Sequence, residues 1–485
     1  MAKQKKNKRT KKEEEPLIFE WNEYHQRFQS RYISQTYNVE LDDETLRDGL
    51  QSPSVKDPTI EEKLRIVHLM EKLGIHAADI GLPASGPRAK ADITRIAQEI
   101  FDNKMKIRPN CAVRTLVDDI KPLLEISEKV GYPIEAAMFI GSSPIRIYAE
   151  EWSINKMLRL TEEAVDFAVK HGIPVMYVTE DTTRAHPRTI KRLYTTAIEH
   201  GAERICVCDT VGYANPLGVY YLLRFIMKMV NSLDRNIKVD WHGHSDRGLA
   251  IPNTMAAISS GVNRVHATAL GIGERVGNTQ MDQLLINLKL EGIIKTDLRK
   301  LTEYCRTVAS AVGFNISPNY PIIGEDAFRT ATGVHAAAII KAERKGDAFM
   351  ADRIYSGVPA AMVGRRQKIE VGFMSGISNI VYWLKKRGIK PEEHLVEEIF
   401  KAAKARDRVL TEDEIMQIVK YSSGGEIQVK KDSLKSWDKG IKFNKKNVSL
   451  KPSTGKSLQK SKSTRAKSKK AVKAKMTKSG ALRNR

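Results

Sequence analysis

Between residues 38 and 290 the chain repeats one alternation eight times: a short apolar run, then a longer amphipathic stretch. The runs fall at 38–46, 77–81, 107–113, 134–140, 175–179, 204–208, 237–241 and 264–270. Short apolar runs between turn residues read as strands, and recurrence near 3.6 residues reads as helix. The clearest helix is 153–170, SINKMLRLTEEAVDFAVK, with Ser153 placed to cap its start and Gly172 to stop it. Strands separated by helices must run parallel. Eight such units in about 250 residues predict an α/β fold, a (β/α)8 TIM barrel. An open doubly wound sheet is the other architecture this alternation allows.

A barrel makes a demand on the sequence: reactive residues belong just past the C-terminal ends of the strands. Arg47 and Asp48 follow the first run, Arg114 the third, and Ser142 and Ser143 the fourth. Glu180 and Asp181 follow the fifth, Asp209 and Thr210 the sixth, and a Gly-rich loop, 271–278, the eighth. The seventh run ends in His242-Gly243-His244. Residues i and i+2 of a strand share a face, so both imidazoles leave one strand end together and suit neighbouring positions on one ion. With a carboxylate such as Asp48 and an amide oxygen they make a mixed O/N donor set suited to Mn, Mg or Zn with open positions. An arginine beside that carboxylate can hold a substrate carboxylate or polarise a carbonyl.

The net charge of +23 is not spread along the 485 residues. Residues 1–15 and 430–485 carry +4 and +18, which leaves the body near neutral. The last segment is low in complexity and poor in large apolar residues, so it reads as disordered, a tail able to bind polyanions weakly. The four cysteines, Cys111, Cys206, Cys208 and Cys305, form no disulfide or zinc spacing and fit a reducing, cytoplasmic setting. No secretory signal and no 18-residue apolar run is visible, so no membrane association is expected. The expected organisation is a basic tail (1–15), a catalytic barrel with an N-terminal extension (16–315), helical C-terminal subdomains (316–425) and a basic low-complexity tail (426–485).

Three motifs in order, ETLRDGLQSP at 44–53, HGHSDRGLA at 242–250 and GIGERVGN at 271–278, resemble the acyl-CoA/2-oxo acid condensing enzymes of the DRE-TIM superfamily. Among these, 2-isopropylmalate synthase is the nearest type, with homocitrate, citramalate and Re-type citrate synthases close by. GERVGN is the synthase form of that loop. Leu50 departs from the synthase pattern and is similar to the lyases of the same fold. The resemblance implies that Asp48, His242, His244 and Asn278 hold a divalent metal and that a 2-oxo acid chelates it. It implies that Arg47 stabilises the alkoxide, that Thr210 holds the substrate carboxylate and that Glu180 handles a proton. His335 and Tyr355 correspond to subdomain residues that reach an active site, often a neighbouring subunit's, so a homodimer is expected. Gln51 would line the site, and Arg146 could read a second carboxylate. Acetyl-CoA is the implied co-substrate. The implied reaction is a Claisen-type condensation followed by thioester hydrolysis, with His335 and Glu180 as the candidate base. A lyase of this fold, or a nucleic-acid-associated protein acting through its tails, are the competing readings.

Overall fold

The computed structural model describes residues 39–422, apart from residue 234. The expectations for both basic tails lie outside these residues. Eight parallel strands close into a barrel: β1 (Glu40–Asp43), β2 (Ala77–Asp79), β3 (Arg108–Arg114), β4 (Glu135–Gly141), β5 (Val175–Glu180), β6 (Arg204–Asp209), β7 (Lys238–Gly243) and β8 (Arg264–Ala267). Closure is made by β1 against β8, with Asp42 opposite His266. The TIM barrel expected from the alternation is therefore the fold.

Helices start where the sequence can satisfy their free N–H groups. Ser153 Oγ accepts from the Lys156 amide at the head of helix Ile154–Lys170, and His171 and Gly172 end it, Gly172 at φ +72°. Thr59 and Glu62 make a reciprocal capping box for helix Ile60–Lys72. The apolar faces of these helices bury Ile66, Met70, Met157 and Val165 in one core that also holds Val207, Trp241 and Val265 of the barrel strands. Each such burial contributes roughly 1.5–3 kcal/mol.

The inward side chains are a different population. Near the N-terminal ends of the strands they form a buried ionic floor. Arg264, 1% exposed, donates to Asp240 Oδ2 at 2.7 Å and Glu135 Oε1 at 2.6 Å, and lies 3.5 Å from Asp42. Arg204 pairs with the same Asp240 at 2.5 Å. Above that floor sits a small apolar group, Ala137, Met176, Cys206 and Cys208. The reactive groups stand above it at the rim.

Three strands are shorter than expected, β2 ending at Asp79 rather than at 81. β1 stops at Asp43, because the Asp43 carboxylate accepts from the Thr45 amide and starts a turn; Leu46 stays buried after the strand has ended. β8 stops at Ala267, because the next residues bend into a 3-10 turn with Leu270 at φ +58°. That turn is held by Thr45 Oγ1, which accepts from the Ala269 amide, and by Asp282, which accepts from the Leu270 amide. Beyond the barrel come helices Gly333–Arg344, Ile377–Lys386, Glu393–Lys404 and Glu412–Ser422. A parallel pair of two-residue strands, Arg329–Thr330 and Lys368–Ile369, was not foreseen. Among the described residues no helix is long and apolar enough to cross a membrane.

Candidate active site

The C-terminal rim of the barrel opens on a cavity of about 230 Å³. One side of its lining comes from the ends of β1, β7 and β8. Asp48, His242 and His244 converge there: the two Nε2 atoms lie 3.5 and 3.7 Å from Asp48 Oδ2. One donor atom from each of the three lies within 4.8 Å of the other two. Asn278 reaches the same carboxylate, donating from Nδ2 at 3.0 Å.

The donor chemistry fits a divalent cation. Asn278 Oδ1 and His244 Nδ1 are buried without a partner, the state of groups whose ligand is an ion or water. Gly273 leaves room for the amide; a Cβ there would come within 1.9 Å of Asn278 Oδ1. A half-turn of the amide would direct its oxygen to Asp48's side of the site. Burial, and then the charge of His242, push the His244 imidazole down to about 4, which keeps it in the neutral form a metal requires. Burial works against charge on Asp48, but Arg47 and the two imidazoles outweigh it and hold the carboxyl below its ordinary range.

The carboxylates behind these donors were given no role in the sequence reading. Glu44 Oε2 lies 2.8 Å from His242 Nδ1, which leaves His242 Nε2 facing Asp48. A carboxylate on the far nitrogen of a ligating imidazole fixes its tautomer and orientation. Glu44 Oε1 also meets His266 Nδ1 at 2.9 Å, and His266 Nε2 meets Asp240 at 3.1 Å. The rim is thus tied to the ionic floor through His266. Its signal in the sequence was the period-two polar pattern Arg264, His266, Thr268, inward positions of one strand.

Arg47 lies against three carboxylates: Asp79 at 2.6 Å, Glu44 at 3.0 Å and Asp48 at 3.3 Å. Thr210 Oγ1 accepts from the Asp181 amide at 2.9 Å, so its proton remains free to donate. Arg275 Nη2 donates to the Thr210 carbonyl and its Nε to Asp246, which anchors the 271–278 loop over the site. Burial raises the Glu180 carboxyl above its ordinary range; Arg146, 3.6 Å away, opposes this, and the charge of Asp181 reinforces it. The remaining lining is mostly apolar: Leu82, Ala112, Ala137, Phe139, Met176 and Val178, with Gln51 and Glu274 at the mouth.

The structure therefore brings Arg47, Asp48, Gln51, Glu180, Thr210, His242 and His244 onto one cavity, with Asn278 bonded to Asp48. Three others are not in this lining, although Arg146 stands 3.6 Å from Glu180, which is. Arg146 is paired with Glu150 one helical turn on and packs over Gly141, where a Cβ would meet its Cγ at 2.2 Å. His335 and Tyr355 stack on each other with centroids 4.1 Å apart, exposed and outside this lining.

The HMGL-like family profile matches residues 38–308, more than half of the chain and the whole barrel. This chain belongs to the HMGL-like family. A homocitrate synthase AksA of Methanopyrus kandleri is 33% identical, over 78% of this chain and 91% of that protein. A probable 2-isopropylmalate synthase of the same organism is 32% identical, over 76% and 69%. A putative (R)-citramalate synthase CimA, also from Methanopyrus kandleri, is 30% identical, over 78% and 72%. HMGL-like relatives named for three different products thus stand at nearly the same distance from this chain.

Proposed function

We propose that the protein condenses acetyl-CoA with a 2-oxo acid and hydrolyses the thioester, as a 2-isopropylmalate synthase does. The observation that carries this reading is the convergence of Asp48, His242 and His244, with Asn278 bonded to Asp48, at one side of the cavity. These four residues would hold a divalent metal of the Mn, Mg or Zn class. When bound, such an ion polarises a chelated 2-oxo group towards attack. Thr210 donates its free hydroxyl proton to the substrate carboxylate. Arg47 stands beside Asp48, where its guanidinium faces charge developing on the keto oxygen. Glu180, raised by burial, accepts the proton that leaves the acetyl methyl group.

The lining favours an acceptor with a small apolar side chain. Among the described residues Arg47 is the only Lys or Arg on the cavity wall, and it is already met by three carboxylates. Arg146, the expected reader of a second carboxylate, is engaged by Glu150. The test is a thiol-release assay with acetyl-CoA and a panel of 2-oxo acids. Fastest metal-dependent CoA release with the branched acid that bears an isopropyl group is expected. Preference for a dicarboxylic acid would replace this reading by a homocitrate synthase-type one, and release with no oxo acid would end both.

Glu180→Gln is expected to lower kcat by about 10²–10⁴, the usual worth of a positioned base. Such a base acts when ionised and its pKa is raised, so activity should climb with pH through a limb above the ordinary glutamate range. The variant should lack that limb; an unchanged pH–rate profile would take Glu180 out of proton transfer. In the same reading His335 and Tyr355 enter from a second copy in a homodimer, since both are exposed and stand outside their own barrel's cavity. Mixing inactive H335A and H242A chains should restore part of the turnover. No recovery would return both residues to an ordinary surface.

A further inference from the structure

The turn that ends β8 holds a backbone conformation its own sequence does not favour. Leu270 lies at φ +58°, the left-handed region that side chains rarely adopt, so something outside the turn must hold it. The Asn278 amide donates to the Gly271 carbonyl at 3.0 Å, so the place of Asn278 depends on where this turn delivers the chain. Asp282 Oδ1 accepts from the Leu270 amide at 2.9 Å, and Thr45 Oγ1 accepts from the Ala269 amide at 2.8 Å. Thr45 is itself held from behind. Its hydroxyl oxygen lies 3.2 Å from that of Tyr304, which comes from helix Leu301–Val312, outside the eight strands. Tyr304 donates its proton to Asp43 Oδ2, and Asp43 Oδ1 accepts from the Thr45 amide at 2.9 Å. With its proton spent on Asp43, the Tyr304 oxygen can only accept, which draws the Thr45 proton to it and turns a Thr45 lone pair to Ala269. Asp43, Thr45, Tyr304 and Ala269 are all fully buried, so no solvent can replace a lost partner.

We propose that Tyr304 is a positioning residue for the cation site: its hydroxyl fixes the turn after β1 against the turn after β8, and so sets Asp48 relative to Asn278. The inference rests on the donor set of the reading above. One hydroxyl stands behind both segments, 43–48 with Asp48 and 268–278 with Asn278, although Tyr304 is absent from the lining of the cavity. Without it, Thr45 loses the acceptor that orients its hydroxyl, and the strained turn at Leu270 keeps Asp282 as its one well-directed side-chain clamp.

The test titrates the full chain with Mn2+ and follows the electron paramagnetic resonance signal of the free ion, with no substrate present. Tyr304→Phe removes one oxygen and keeps the ring. It is expected to weaken Mn2+ binding about 10–100-fold, the usual effect of losing an outer partner of a metal ligand. Tyr177→Phe is the control: its hydroxyl is as deeply buried, bonded to Thr161 at 2.7 Å, and lies outside the cavity lining. That variant should bind Mn2+ as the parent does. Thr45→Val should weaken binding as Tyr304→Phe does, whereas Thr45→Ser keeps the hydroxyl and should bind like the parent. A parent that binds no Mn2+ would end the donor reading and this inference with it. A parent that binds, with Tyr304→Phe binding equally tightly or Tyr177→Phe losing as much, would overturn the role of Tyr304 alone. Should Tyr304→Phe fail to fold, the Thr45 pair decides, and equal binding by the two overturns the proposal.

Discussion

His242→Ala is expected to lower kcat/KM by at least about a thousandfold and to leave the barrel folded. In our reading His242 supplies one of four donors, and its position is set from behind by Glu44 at 2.8 Å. The electrophile it helps to hold supplies several kcal/mol of transition-state stabilisation, and each 1.36 kcal/mol is a factor of ten. The fold should survive, because Glu44 keeps two positive partners, Arg47 and His266, when the imidazole is removed. Bound divalent metal, measured after dialysis, should fall together with activity. Turnover within tenfold of the parent at unchanged metal content would remove His242 from the donor set.

The second large effect lies on stability rather than turnover. Arg264→Met should destabilise the protein by about 3–5 kcal/mol, the cost of breaking a buried ion pair from one side. The side chain is 1% exposed, and its loss leaves Asp240, Glu135 and Asp42 facing one another with Arg204 as the remaining guanidinium among them. Burial raises the Asp240 carboxyl, but Arg264 and Arg204 outweigh it and depress the carboxyl well below its ordinary range. A depressed carboxyl gives stability that is present above its unfolded pKa and is lost as pH falls. The variant lacks much of that contribution, and protonation relieves the repulsion it creates. Its deficit should therefore be largest near neutral pH and shrink towards about pH 4. Urea unfolding of both proteins at several pH values measures it; a deficit below 1 kcal/mol at pH 7 would mean that Arg204 alone neutralises the floor.

The barrel was legible because eight apolar runs cannot be buried in parallel except against intervening helices. The strand ends were not, because Leu46 and Leu270 continue the apolar pattern past the last ladder residue and are buried by turns instead. His242 and His244 were legible from their spacing on one strand. Glu44 and His266 stand 222 residues apart in sequence and meet through the β1–β8 closure, which local pattern does not reveal. Arg146 has a partner that its sequence position alone does not suggest. Read alone it is a free cation in a catalytic loop, yet Glu150 four residues on belongs to the same helical face and takes its charge.

The proposed donors Asp48, His242, His244 and Asn278 all follow from β7, β8 and β1, which are contiguous across the seam of the barrel. The apolar lining at Ala112, Ala137, Phe139, Met176 and Val178 issues from β3, β4 and β5. The ring is therefore divided into two arcs, one carrying the proposed metal donors and one mostly apolar, with Glu180 of β5 as its charged member. Since each strand is a self-contained β/α unit, the mostly apolar arc can be rebuilt without rebuilding the other. A change of acceptor in such a molecule is a matter of a few side chains on three strands, provided Glu180 at the end of β5 is kept.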